Sequence, residues 1–175
     1  MRAFISIELP KEVRDELWEL QKGFKNLAKV KWVAKKNYHV CLKFLGDIDD
    51  SKVKEVKGAL KKVKFTPFEV NLGEIGVFPN ESHINVIWVG LEPSSKIINL
   101  QSDIEDSLYG LFARAKKFAV HVTVGRVKGV KDKKKFIEKL KSLQVRKLKF
   151  KIENFYLVKS ELTKEGPKYK ILEKF

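Results

Sequence analysis

Residues 38–44 read YHVCLKF, and residues 120–126, 82 positions later, read VHVTVGR. Successive side chains of a β-strand point to opposite faces, so residues two apart share a face. Each run therefore predicts a strand with one apolar face towards a core and a histidine on the other face. The predicted core faces carry Val40, Leu42 and Phe44, and Val122 and Val124; the histidine faces carry His39, Cys41 and Lys43, and His121, Thr123 and Gly125. Two of the three histidines thus lie in matching contexts, which favours a paired acid and base.

Composition limits the classes of protein to which the chain can belong. With 175 residues, 43% of them hydrophobic, the chain is long enough to bury a core. Its one cysteine, Cys41, excludes an internal disulfide framework, and the N-terminal apolar run is too short for a signal peptide or a membrane span. We therefore expect a cytoplasmic protein with no membrane partner. The formal net charge of +15 favours an anionic partner such as nucleic acid, although lysine- and glutamate-rich surfaces also mark hyperthermophile proteins.

The 82-residue offset extends well beyond the histidines. Each half predicts the order strand, helix, histidine strand, helix, strand, over about residues 1–75 and 83–158. The predicted elements include helices over 11–24 and from an N-capping Ser94 to 111, helices opened by Asp49 and Asp132, and closing strands over 65–72 and 148–155. A duplicated unit of this length predicts two similar lobes. Pseudo-twofold symmetry would place the histidine strands opposite each other across a cleft.

At these residues the chain resembles the two-histidine phosphoesterase superfamily, and within it the 2′-5′ RNA ligase-like RNA 2′,3′-cyclic phosphodiesterases. That family is marked by two His-x-Thr/Ser-x motifs, which here would be His39–Leu42 and His121–Val124. Flanking segments that also look like family features are residues 1–5, 43–46, 76–79, 125–126, 162–163 and 166–167. The resemblance covers the full length and implies a single bilobal α+β domain over residues 1–175. Each lobe would be a small, mostly antiparallel sheet with helices on its outer face.

The resemblance also implies an activity. A water would attack the phosphorus of a terminal 2′,3′-cyclic phosphate, and a 2′-phosphomonoester would remain. His39 would be the proton donor to the departing 3′ oxygen and His121 the proton acceptor from water. No metal and no cofactor enter this scheme. The expected partner is RNA with a 2′,3′-cyclic phosphate end, tRNA halves being one candidate, and the reverse reaction would be a 2′-5′ ligation by a protein that we expect to be a monomer.

Four further residues are candidates for substrate binding. Thr123 and Cys41 would hold the non-bridging phosphate oxygens, although Cys41 stands where the family usually has Thr or Ser, and a thiol is a weak donor. Lys43 is predicted on the histidine face. Arg126 matches an arginine that follows the second motif in the family, but ideal alternation places it on the core side unless Gly125 bends the strand.

Other residues are weighed against a structural role. Phe78 and Trp32 are candidates for stacking on a base, although packing is the commoner role of such aromatics. His83 has no partner in the repeat, and a zinc site built from all three histidines lacks ligands at the usual spacing. Two alternatives to the RNA phosphodiesterase stay open: a non-catalytic RNA- or nucleotide-binding module on the same scaffold, and a phosphodiesterase for small cyclic nucleotides.

Overall fold

The computed structural model describes all 175 residues and contains nine β-strands and four α-helices. The strands are β1 (Arg2–Glu8), β2 (Ala28–Trp32), β3 (His39–Asp47), β4 (Phe68–Asn80), β5 (His83–Glu92), β6 (Val122–Val130), β7 (Lys149–Ile152), β8 (Tyr156–Thr163) and β9 (Gly166–Lys174). The helices are α1 (Lys11–Leu20), α2 (Asp50–Leu60), α3 (Ser95–Ser107) and α4 (Lys133–Ser142). Short 3₁₀ turns cover Gln21–Phe24 and Lys35–Asn37.

The strands form one antiparallel sheet with an internal symmetry. Their order is β7-β4-β5-β6-β3-β1-β8-β9, and β2 pairs with β6. The two histidine strands β6 and β3 lie at the centre and share a single residue pair, Val40 with Val122. We call β1, β3, β8 and β9 the first lobe, and β2 and β4 to β7 the second lobe. The expected α+β architecture of two antiparallel lobes is confirmed.

The lobes do not coincide with the two halves of the sequence. The closing strand of the first half, β4, pairs with β5 of the second half, and β8 pairs with β1. The helices also pack against elements of the other half. Glu105 on α3 contacts β3, and the ring centroids of Phe24, which follows α1, and Phe136 on α4 are 4.9 Å apart. The halves therefore interlock, and each lobe is built from both.

Local sequence explains most element boundaries. The carboxylates of Asp49 and Asp132 accept hydrogen bonds from the main-chain N–H groups of Lys52 and Lys135, at 2.8 and 3.0 Å, and cap α2 and α4 as expected. Ser94 precedes α3, but its side chain makes no capping hydrogen bond.

Four predicted elements have other bounds in the structure. Helix α1 ends at residue 20 in a 3₁₀ turn, α3 ends at residue 107, and β4 runs to residue 80. Residues 148–155 contain only β7, because the chain must leave the second lobe after β7 and enter the first at β8.

One continuous cluster of 35 buried hydrophobic residues lies between the sheet and the helices. It includes Ile7 and Val40 from the first lobe, and Val89 and Val122 from the second. This shared core joins the lobes beneath the histidine strands. None of the helices is both long enough and apolar enough to cross a membrane.

Candidate active site

The two histidines lie where the lobes meet. Val40 and Val122 are paired and fully buried, so the residues on either side of them point to the opposite, open face. The open face therefore carries His39 and Cys41 from β3 beside His121 and Thr123 from the second motif. Residues remote in sequence converge here because β3 and β6 are neighbours in the sheet.

Both imidazole rings are held in the same way. Nδ1 of His39 lies 2.7 Å from the carbonyl oxygen of Asn37, and Nδ1 of His121 lies 2.8 Å from that of Ala119. A carbonyl oxygen only accepts, so Nδ1 carries the proton and donates in both rings. Nε2 of each ring is thereby left free for proton transfer. The matching contacts, each two residues before the histidine, follow the 82-residue repeat.

The surroundings of the two rings differ. The His39 ring packs against Phe4 and Tyr169, with centroid separations of 4.9 and 5.4 Å. The His121 ring meets the ring of Phe78 edge to face at 5.1 Å. Burial lowers the pKa of His39, the Asn37 carbonyl partly opposes that shift, and the nearby His121 lowers the pKa further.

The influence of His121 on the His39 pKa leads to a direct test. Replacing His121→Ala removes a positive charge that disfavours the protonated form of His39, so the His39 pKa should rise. NMR titration of the His39 ring protons in the wild type and the variant measures this shift. An unchanged pKa would mean that the rings are too far apart to act on one phosphorus atom.

The third residue of each motif, Cys41 or Thr123, also lies on the open face. Thr123 and Cys41 are both half-buried, with Cys41 paired to Ser6 and Thr123 paired to Trp88. Burial raises the pKa of the Cys41 thiol to about 12, so the side chain stays protonated. Thr123 offers a hydroxyl donor to a bound anion, whereas Cys41 offers only a weak S–H donor.

A β-bulge follows each motif and changes which side chains reach the open face. In β6, Thr123 pairs with Trp88 and Gly125 with Ile87, so Val124 is the extra residue. Gly125 consequently lies on the core side, where a Cβ would approach Val30 and Trp32 within 3 Å, and the prediction that it shares the histidine face is wrong.

The same bulge turns Arg126 to the open face, where it is exposed and pairs with Val86. Burial raises the pKa of Tyr169, and the charge of Arg126 acts against that shift. These two side chains belong to different lobes, so the charge of Arg126 acts on a residue of the other lobe. The guanidinium therefore lies on the same side of the sheet as the histidines, whereas ideal alternation would place it on the core side.

The equivalent bulge in β3 corrects the expectation for Lys43. Cys41 pairs with Ser6 and Lys43 with the fully buried Ile5, so Leu42 is the extra residue. Lys43 is 7% exposed, and its Nζ donates to Glu105 Oε2 at 2.8 Å and to the carbonyl oxygen of Ala113 at 2.9 Å. It lies beneath the sheet and not at the open face, so the prediction that it shares the histidine face is wrong, and the placement argues against its predicted contact with substrate.

Phe44 takes the open-face position that was expected of Lys43. It pairs with Phe4 and is 70% exposed, so the prediction that it faces the core is also wrong. Trp32 lies on the core side of β2 near Phe24 and Gly125, away from the histidines, whereas Phe78 contacts His121.

Several side chains at the site had no signal in the repeat. Tyr169 comes from β9, a strand without a counterpart in the first half, and Trp88 stacks on Phe78 at 5.0 Å over Gly76. Asn37 is buried, and its Nδ2 donates to the carbonyl oxygen of Pro167 at 2.9 Å, which joins the turn before His39 to the hairpin that carries Tyr169.

His83 lies outside the site. It is exposed at the start of β5, where its main-chain N–H donates to Asn80 Oδ1 at 2.9 Å. No three side chains of His, Cys, Asp or Glu lie together as ligands for a metal ion.

Comparison with known proteins also finds a repeated unit in the chain. The family model described as LigT-like phosphoesterase matches residues 7–88 and again residues 89–169, and each match contains one histidine motif. A protein from Methanocaldococcus jannaschii named RNA 2′,3′-cyclic phosphodiesterase is 34% identical over 179 residues, covering 100% of both chains. A protein of the same name from Thermotoga maritima is 32% identical, covering 98% of this chain and 93% of its own.

Solved structures show the same fold. A crystal structure of a protein from Thermus thermophilus superposes with a TM-score of 0.82 at 28% identity, covering 100% of this chain and 97% of that one. Escherichia coli LigT in complex with 3′-AMP gives a TM-score of 0.79 at 21% identity, covering 99% and 96%. With both histidine strands inside matched repeats and full-length relatives above 30% identity, the chain belongs to the LigT-like phosphoesterase family.

Proposed function

We propose that this protein is an RNA 2′,3′-cyclic phosphodiesterase that opens a terminal cyclic phosphate by paired histidine catalysis. The observation that carries the proposal is the convergence of His39 and His121 on one face, each with Nδ1 bonded to a main-chain carbonyl and Nε2 free. The names of the relatives from Methanocaldococcus jannaschii and Thermotoga maritima support the substrate class. The net charge of +15 suits a polyanionic substrate.

The proposed reaction is an in-line displacement at phosphorus. Nε2 of neutral His121 accepts a proton from water while the water oxygen forms a bond to phosphorus. The bond from phosphorus to the 3′ oxygen breaks on the far side, and Nε2–H of His39 donates its proton to that oxygen. The product has a 2′-phosphate and a 3′-hydroxyl. Proton exchange with solvent restores both rings, and the assignment of acid and base follows the family resemblance.

The charge on phosphorus needs donors that are already in position. The Thr123 hydroxyl and the Arg126 guanidinium lie on the same face as His121, and we assign them to the non-bridging oxygens. In the proposed scheme the proton transfers use the two imidazoles, without a metal ion. With a ribose 5′-hydroxyl in place of water as the attacking group, the same displacement would form a 2′-5′ bond and release the 3′-hydroxyl.

Product analysis tests the proposed function. An RNA ending in a 2′,3′-cyclic phosphate should be converted to the 2′-phosphomonoester, with the same rate in EDTA as in buffer alone. Mass spectrometry and the response of the product to enzymes specific for 2′- or 3′-phosphates identify the isomer. A 3′-phosphate product would contradict the assigned polarity, and activity lost in EDTA and restored by zinc would contradict the metal-free scheme.

The pH dependence of the reaction should follow the lowered pKa of His39. His39 must start protonated, so kcat/KM should fall as the pH rises through the pKa of His39 in the free enzyme, which burial lowers from the ordinary histidine value. A bound phosphate anion favours the protonated ring, so the corresponding fall in kcat should occur at higher pH. Rate profiles at saturating and limiting RNA measure both. Coincident midpoints would argue against His39 as the acid that faces the phosphate.

Cys41 provides a test of the first motif. Replacing Cys41→Thr puts a hydroxyl donor where the thiol, with its raised pKa, now lies, and kcat/KM should rise by about 3- to 10-fold, in line with about 1 kcal/mol for one hydrogen bond. Cys41→Val, of similar shape without a donor, is the matched control and should give no gain. Equal kinetics in all three proteins would show that position 41 does not touch phosphate.

A further inference from the structure

A cavity of about 360 Å³ opens beside His39 in the first lobe. Its walls include Glu8 from β1, Lys36 from the turn before β3, and Lys168 and Tyr169 from β9. His39 itself forms part of the boundary. The volume lies at the lower end of the range of about 300–1,000 Å³ for small-molecule sites.

The cavity lies on one side of the two histidines. In the sheet, β1, β8 and β9 follow β3 on the side away from β6, so the cavity extends from His39 in the direction opposite to His121. In the proposed reaction His39 faces the departing 3′ oxygen, which belongs to the ribose of the terminal nucleotide. The base of that nucleotide is attached to the same ribose and must lie within one nucleoside length of His39.

The three charged side chains of the cavity, Glu8, Lys36 and Lys168, form no ion pairs. Glu8 is half-buried opposite His39 on the neighbouring strand, and no lysine or arginine forms an ion pair with it. Burial raises the pKa of Glu8, and the Arg14 charge and the Ser6 hydroxyl partly oppose that shift. Lys36 and Lys168 are exposed and form no ion pair, although Glu161 is the cross-strand neighbour of Lys168. The cavity thus presents one acceptor and two donors that no ion pair occupies.

One wall is aromatic. The ring of Tyr169 is perpendicular to the His39 ring, at 89° and 5.4 Å, and packs edge-on against Phe4 at 5.0 Å. Tyr169 is 37% exposed, so part of the ring is open to a ligand. The Asn37 side chain holds the adjoining hairpin through the carbonyl oxygen of Pro167. A base that enters the cavity can stack on this wall, as unpaired RNA bases do on aromatic side chains.

We propose that this cavity binds the base of the terminal nucleotide and that Glu8 makes guanine the preferred base, an assignment that rests on the proposed function. The two oxygens of a carboxylate accept the adjacent N1–H and N2–H donors of guanine. The ammonium groups of Lys36 and Lys168 are donors for guanine O6 and N7. Adenine and cytosine offer one exocyclic amine without a neighbouring ring N–H, and uracil offers a single N–H between two carbonyls.

The test compares four RNAs that differ only in the base that carries the cyclic phosphate. The guanine end should show a kcat/KM about 10-fold above the adenine end, in keeping with one good bidentate base contact. Glu8→Gln replaces one acceptor oxygen by a donor and should bring that ratio close to one. The matched control is Glu12→Gln, since Glu12 is an exposed carboxylate on α1, and it should leave the ratio unchanged. Tyr169→Ala should raise KM for all four ends, and Tyr169→Phe should restore it.

Other outcomes would overturn the assignment. Equal kcat/KM values for the four ends in the wild type would remove the guanine preference. An equal loss on all four ends in Glu8→Gln, with a displaced pH profile, would mean that Glu8 acts on His39 and not on the base.

A binding measurement separates this proposal from the proposed function. Calorimetry with guanosine 2′-monophosphate and adenosine 2′-monophosphate on the wild-type protein requires no catalysis. Tighter binding of the guanosine nucleotide, lost in Glu8→Gln, would support the base site even if no RNA end were opened. Equal binding of the two nucleotides would overturn it even if the RNA were opened as proposed.

Discussion

His39→Gln and His121→Gln should each lower kcat for opening a terminal 2′,3′-cyclic phosphate by about 10²–10⁴-fold, the range expected for the loss of one general acid or base. The amide of glutamine fills much of the imidazole space, so the packing of Phe4 and Tyr169 around position 39 is largely retained. The loss arises because no group at Nε2 then transfers a proton. Single-turnover kinetics on a short cyclic-phosphate RNA measure the chemical step directly.

His83→Gln is the matched control for these two variants. His83 is exposed at the start of β5 and lies away from both rings, so its replacement should leave kcat unchanged. Thermal unfolding of all three variants within a few degrees of the wild type would show that the fold is intact. Full activity in either the position 39 or the position 121 variant would remove the paired mechanism.

Lys43→Met should destabilise the protein by about 3–5 kcal/mol, because removing one partner of a buried ion pair leaves the other charge uncompensated. The Lys43 and Glu105 side chains are only 5% and 3% exposed, and the ammonium also binds the carbonyl oxygen of Ala113. For a chain of this size the loss corresponds to a Tm lower by about 6–20 °C. Differential scanning calorimetry measures the change.

The chain offers a control of equal geometry in the Lys11–Asp15 ion pair, which also spans 2.8 Å but has side chains 77% and 37% exposed. Lys11→Met should change the stability little, since solvent screens that pair and Asp15 keeps Lys35 as a partner. The double variant Lys43→Met/Glu105→Gln should recover much of the lost stability by removing both buried charges. A stable Lys43→Met protein with a raised KM would instead place the ammonium at the phosphate.

The Lys43–Glu105 pair also bears on the second histidine. Glu105 Oε1 accepts hydrogen bonds from Gln101 Nε2 at 2.9 Å and from the main-chain N–H of Ala115 at 3.2 Å. With the bond from Lys43 to the Ala113 carbonyl, these contacts anchor the segment that leads to His121. One buried pair in the first lobe therefore restrains the segment that supplies the carbonyl partner of His121.

The errors in the sequence analysis of the site share one physical origin. Strand alternation assigned faces correctly up to Cys41 and Thr123, since it depends only on the local backbone. It placed Lys43, Phe44 and Gly125 on the wrong faces, because a bulge inserts one residue and reverses the alternation that follows. A bulge is defined by the pairing of a strand with its neighbour. The glycine at position 125 was the one local indication of such a bend.

The amino-acid sequence alone was enough to predict the histidine strands, the repeat that relates them and the caps of α2 and α4, because these features follow from periodicity and short-range hydrogen bonding. Long-range contacts settled the rest: the exchange of β4 and β8 between the lobes, the buried partner of Lys43, and the Tyr169 wall beside His39. Those features depend on which strands become neighbours in the sheet. That choice minimises the exposed apolar surface of the whole chain, and no window of local sequence contains it.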